Sequence, residues 1–160
     1  MAIELEYNSI EQAQHLAVGH DPIKPNELHG RGRYGRFTFN TGLGVTDGEN
    51  IGLLVLPKGA RIVGGRVMWE AMGTSGALDL GLMGNDGSGY INTAGDSADD
   101  DDKFLVAENI SSAGQADFAN TIALGCGYEL EKECLLVATA ETANWAADKD
   151  LIGYVLYVVD

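Results

Sequence analysis

The chain has 160 residues, 45% of them hydrophobic, which suits one domain with a core of its own. Its formal net charge of −14 excludes a general nucleic-acid binder, which needs a basic surface for phosphates, and a protein held by charge on an anionic membrane. Twenty-two glycines against three prolines point to many turns and close backbone approaches, as in all-β folds.

The first residues, MAIELEYNSI, lack the basic and apolar regions of a signal peptide, and no apolar run approaches the ~18 residues of a membrane-spanning helix. Residues 9–18 have the pattern of a short helix capped by Ser9. The following DPIKPNELHGRGR holds two of the three prolines and reads as extended and irregular. Residues 1–33 are therefore expected to form an arm, and residues 34–160 the folded domain.

Tyr34–Asn40 alternates, with Phe37 and Phe39 on one side and Arg36, Thr38 and Asn40 on the other, so it reads as a strand. A glycine-rich loop follows at 41–50. It lacks the preceding buried strand and following helix that a dinucleotide fingerprint needs. Residues 51–82 then hold three apolar runs broken at Pro57-Lys58-Gly59 and at Gly73-Thr74-Ser75-Gly76. Val63, Val67 and Trp69 share one face. Leu78, Leu80 and Leu82 share another, with Asp79 and Gly81 opposite. The pattern predicts a meander of three antiparallel strands.

Residues 85–103 form a polar loop with five acids between Asp96 and Asp102. It reads as a self-repelling surface loop, a calcium site or an acidic contact surface. Calcium wants alternating carboxylates, a glycine turn and a closing Glu, and four consecutive aspartates do not supply them. Residues 104–120 suit a short helix or strand, and Thr121–Leu124 a short strand. Cys134–Thr139 and Leu151–Val159 are apolar strands. The last is apolar on both faces, so its outer face is covered by the arm or by another subunit, or the strand is simply central in its sheet. Cys126 and Cys134 lack zinc spacing and read as buried free thiols, although a hairpin could bring them together. About eight strands at ten-residue spacing predict an all-β sandwich of jelly-roll type.

The residues suggest no catalytic, cofactor or metal site. The three histidines, His15, His20 and His29, all lie in the arm, so a cupin-like metal centre lacks its ligands. No strand–turn–helix elbow surrounds a serine. Trp145, in a polar loop beside Asn144 and Asp148, is the one candidate for an exposed glycan platform. Charge is polarised: residues 24–66 hold seven basic residues against three acids, whereas residues 67–160 hold three against seventeen. A basic patch of this kind can dock on an acidic partner.

The string RYGRFTFNTGLGVTDGENIGLLVLPKGARIVGGRVMWEA, then GALDLGLMGNDGSGY, DKFLVA and the closing LIGYVLYVVD resemble the jelly-roll virion proteins of tailed bacteriophages, most closely capsid decoration (cement) proteins. The resemblance spans roughly residues 34–160, and LPKGARIVGGRV and ALDLGL carry most of it. It implies a non-enzymatic structural protein, made in the host cytoplasm, that trimerises on the outside of the phage head. The major capsid protein would be its partner, and the arm would lock neighbouring capsid subunits. On that basis Arg31, Arg33 and Arg36 are expected to contact the capsid, and Tyr154, Leu156 and Val158 to lie in the oligomer interface. The alternative is a carbohydrate- or receptor-binding jelly roll of a phage tail or spike, with Trp145 as its platform.

Overall fold

The computed structural model describes residues 32–84, 102–121 and 123–159, and every regular element in them is a strand. In chain order these are β1 (Gly32–Asn40), β2 (Asn50–Leu56), β3 (Ala60–Trp69), β4 (Ala77–Gly84), β5 (Leu105–Asn109), β6 (Gly114–Phe118), β7 (Cys134–Glu141) and β8 (Asp150–Val159). They form two four-stranded antiparallel sheets, β1-β8-β3-β6 and β2-β7-β4-β5. The pairings β1 with β8, β2 with β7, β3 with β6 and β4 with β5 are nested, as in one long hairpin folded over. The further pairings of β3 with β8 and β4 with β7 close each sheet. This is the jelly roll that the strand spacing predicts. Residues 1–31 of the expected arm, with its helix at 9–18, lie outside the described residues, and its last two residues, Gly32 and Arg33, belong to β1.

Residues 51–82 hold three strands as expected, but they are not a meander. β2 and β4 lie in one sheet with β7 between them, and β3 lies in the other. The Pro57–Gly59 turn carries the chain from sheet to sheet, with the Ala60 amide donating to the Pro57 carbonyl at 3.1 Å. Alternation reports which side chains are buried, and partner choice depends on where the apolar faces meet. Val63 also leaves its expected face. The register of β3 on β8 shifts between Ile62 and Gly64, so Ile62 takes the core position and Val63 is 51% exposed. A β-bulge adds one residue and reverses the parity of what precedes it.

The core lies between the sheets. Leu56, Ile62, Leu78, Leu80, Leu82, Phe104, Phe118 and Leu136 are fully buried. Each such side chain contributes about 1.5–3 kcal/mol relative to exposure. Two glycines let large rings in. Phe37 lies directly opposite Gly153, and Phe118 directly opposite Gly65. A Cβ on Gly153 would sit 2.6 Å from the Arg66 carbonyl oxygen and closer still to the Phe37 ring.

Residues 104–120 contain two strands, β5 and β6, where one element was expected. Where a strand was expected at Thr121–Leu124, the described residues Thr121, Ala123 and Leu124 are bend and turn: the Thr121 hydroxyl accepts the Leu124 amide at 3.1 Å, and the Cys126 amide donates to the Thr121 carbonyl. Gly125 and Gly127 follow at positive φ, which ends any extended run. Cys126 and Cys134 are free thiols, Cys134 buried and Cys126 half-buried.

The strands shielded on both faces are β4 and β7 rather than β8. Val137, on the outer side of its sheet, is 0% exposed, and its neighbours Thr139 and Asp79 are buried. Asp79 accepts a hydrogen bond from the Ala107 amide at a bulge between β4 and β5, which satisfies a carboxylate buried in an apolar strand. β8 is central, between β1 and β3, and its outer face stays half-exposed.

The loops β1–β2, β3–β4 and β7–β8 meet at one end of the sandwich around Trp145. Its side chain is only 2% exposed, so it offers no platform to a sugar. The indole donates to the Ala77 carbonyl at 3.0 Å, and the Trp145 backbone pairs with Val45. Asn144 accepts the Asp47 amide and the Asp148 amide donates to Gly42, so these polar neighbours tie the loops together. Trp145→Ala is expected to destabilise the fold by about 3–5 kcal/mol in urea unfolding, because it opens a cavity and orphans a buried carbonyl. Gly153→Ala is expected to cost about 1–3 kcal/mol in the same assay, because the new methyl forces Phe37 or β3 to move.

Candidate functional site

The outer face of the β1-β8-β3-β6 sheet concentrates what the rest of the described surface keeps apart. Because β1 and β3 flank β8, three stretches distant in sequence lie in rows. Arg36 is opposite Tyr154, Tyr154 is opposite Arg66, and Arg66 is opposite Asp117 on β6. The next row is Thr38, Ile152, Met68 and Gln115. On the other side of the Tyr154 row, Tyr34 lies opposite Leu156. Tyr34 is 60% exposed and Leu156 42%, and Met68 and Val63 are also exposed. The Tyr34 and Tyr154 rings stack with centroids 5.2 Å apart. A groove of about 310 Å³, lined by Met68, Trp69, Glu70, Asp150 and Ile152, ends the face toward the Trp145 loops.

The charges of this face are set by the register. Arg66 makes a two-pronged pair with Asp117, Nε to Oδ1 at 2.6 Å and Nη2 to Oδ2 at 3.1 Å. That hydrogen bond, with the charge behind it, holds the Asp117 carboxyl below its ordinary value, against a smaller desolvation effect. The same bond raises the Arg66 guanidinium. Arg61, near the start of β3, lies 3.5 Å from Glu129. Arg36 has no ion pair among the described residues. The face is thus aromatic and aliphatic at its centre with guanidinium groups across it. Tyr, Met and Arg are the residue types enriched in protein–protein interfaces.

Of the six residues the resemblance points to, four fall on this face. Tyr154, Leu156 and Val158 share the outer parity of β8, and Arg36 shares that of β1. Arg33 is exposed but has the parity of Phe37, so it projects on the other side of β1 from Arg36. Arg31 lies outside the described residues. The acidic loop does too, apart from Asp102, which is half-buried just before β5. Beside it Lys103 is buried with its ammonium 5.8 Å from the centre of the Tyr128 ring, an attraction between cation and ring face. Tyr34, Arg66, Met68 and Ile152 belong to the face as well. The sequence signal for them is parity: each alternates with a core residue on its own strand.

Comparison with solved structures identifies the fold. A chain of the cyanophage Pam1 capsid asymmetric unit superposes with a TM-score of 0.65 at 17% identity, over 98% of this chain and 100% of that one. A chain of the capsid of Ralstonia phage GP4 does so with a TM-score of 0.64 at 17% identity, over 92% and 94%. A chain of the acid-stable capsid of Helicobacter pylori bacteriophage KHP30 gives a TM-score of 0.50 at 18% identity, over 82% and 90%. No protein-family model and no curated protein matches the sequence. At these identities the likeness is one of fold, and the fold is shared with chains of phage capsids.

The Arg66–Asp117 pair carries a pH signature. Asp117 has a lower pKa folded than unfolded, so the stability it adds is complete above its ordinary value of 3.8 and is lost as pH falls through the folded value. Asp117→Asn is therefore expected to be less stable than wild type at neutral pH. The difference should narrow as urea unfolding is repeated at successively lower pH below 3.8.

Proposed function

We propose that this chain is a non-enzymatic structural virion protein: a capsid decoration, or cement, protein that binds the outside of a phage head as an oligomer, a trimer in this reading. The observation that carries the proposal is the outer face of the β1-β8-β3-β6 sheet. It combines exposed Tyr34, Met68 and Leu156 with Arg36, Arg61 and Arg66 in a chain of formal net charge −14. A soluble monomer gains nothing by exposing such a row, whereas an assembling protein buries it. The shared fold of phage capsid chains over nearly the whole length supports a place in a shell.

Two jobs are assigned. Tyr154, Leu156 and Val158 contribute to self-association. Arg31, Arg33 and the arm before them reach the major capsid protein, and Arg36 lies between the two regions. Arms acting together from one oligomer would turn weak individual contacts into firm attachment by avidity. The glycan-binding alternative has lost its residue, because Trp145 is a core side chain whose indole is already bonded.

The test uses the full chain and a variant lacking residues 1–31, which leaves β1 intact. Light scattering is expected to report three times the chain mass for both. Co-sedimentation with capsids stripped of decoration is expected to show binding by the full chain, weakened about a hundredfold or more in the truncated one. A monomer without capsid affinity would overturn the proposal.

A further inference from the structure

The sheet that bears this face has two edges, β1 and β6, and nothing among the described residues pairs with either on its outer side. Bare edges invite pairing with another chain unless something covers them. The two edges differ in character. β1 presents Arg36 and Thr38 on the outer face, and β6 presents Asp117 and Gln115. The register sets these at equal heights: Arg36 and Asp117 end one row of four residues, and Thr38 and Gln115 end the next. β1 is antiparallel to β8, β8 to β3 and β3 to β6, so β1 and β6 run in opposite directions within one copy. A rotation about an axis parallel to the strands preserves strand direction and height. It therefore brings β1 of one copy antiparallel to β6 of the next, with Arg36 level with Asp117.

We propose that copies of this chain associate edge to edge, β1 of one against β6 of the next, around an axis parallel to β8. Arg36 joins the neighbouring copy's Asp117, which already holds Arg66, so one carboxylate is shared by two guanidinium groups. The occupant is a second copy because the two edges supply opposite charges at matching heights, and such matching steers and aligns association. The contact joins unlike surfaces and so builds a ring when the rotation closes. Tyr34 on β1, with Tyr154, Leu156, Ile152 and Met68 between the two edges, faces the axis, where closure removes these side chains from water. The inference rests on the self-association assigned above and names the surfaces that make it.

The test is site-directed crosslinking of the full chain. Thr38 and Gln115 stand at opposite edges of one sheet, three strand spacings or about 14 Å apart, so cysteines there are too distant to bridge within a copy. Under mild oxidation, the Thr38→Cys/Gln115→Cys variant is expected to give covalent oligomers of the size seen by light scattering. Each single variant is expected to give no ladder beyond wild type, which controls for native Cys126 and Cys134. Arg36→Glu is expected to raise the dissociation constant of the oligomer by about tenfold or more, with the circular-dichroism spectrum of the folded chain unchanged. A wild-type oligomer whose double-cysteine variant fails to crosslink, or whose Thr38→Cys variant alone crosslinks equally well, overturns the edge-to-edge arrangement and leaves self-association standing. An unchanged dissociation constant in Arg36→Glu overturns the charge pairing. A wild-type chain that is monomeric at every concentration removes the self-association reading itself.

Discussion

Strand β8 is hydrogen-bonded along its length on both sides, to β1 from Asp150 to Val158 and to β3 from Leu151 to Val159. The rest of the structure depends on that double pairing. On the inner side, Gly153 leaves room for the Phe37 ring, so β1 packs tightly over the core. On the outer side, the same strand brings Arg36 and Arg66 to either side of Tyr154, although thirty residues separate the two arginines along the chain. Were β8 at an edge, the core would lack its lid at Phe37 and the two basic stretches would not share a surface.

The two ends of the sandwich are built by different means. Around Trp145 the connecting loops are joined by backbone hydrogen bonds: Val45 with Trp145, Ala146 with Met72, and Met72 with Ile110. The buried indole acts there as a hydrogen-bonded plug. At the other end, the start of β3 is tied to residues 127–130, where the Ala60 carbonyl accepts the Leu130 amide and Ile62 bonds with Tyr128 and Gly127. Backbone polar groups in such loops need partners wherever water is excluded, and these cross-loop bonds supply them. The outcome is a rigid frame whose outer sheet face is held in a single register.

That rigidity bears on how the face can act. Side chains on adjacent strands keep fixed spacings, so a row such as Arg36, Tyr154, Arg66 and Asp117 meets a partner preorganised, with less ordering on association. Arg66 holds the Asp117 carboxylate in place at one end of the row, and Arg36 stands at the other end without an ion pair among the described residues. A fold alone does not specify a role, and jelly rolls serve many.

Local pattern and composition by themselves determined the class of fold. Period-two alternation, turn residues at Pro57-Lys58-Gly59 and the spacing of apolar runs were enough to recognise an eight-stranded antiparallel sandwich, because backbone geometry imposes that period wherever one face is buried. The core parity of Phe37, Val67 and the three leucines of β4 was readable for the same reason. Several features were not readable. The bulge at Val63 depends on a register slip that leaves no mark in apolar spacing. The assignment of β2 and β3 to different sheets depends on which apolar faces meet. Trp145 sits among polar residues, which suggested exposure, yet those neighbours bond to other loops and the ring points inward. The basic stretch from Arg31 to Arg66 was visible as a charge imbalance along the chain. Only the pairing of both β1 and β3 with β8 brought Arg36 and Arg66 onto one surface, and the same pairing placed Arg33 and Arg36 on opposite sides of β1. Sequence carries the periodicity of each strand. The identity of its neighbours is a long-range property, decided by packing across the whole sandwich.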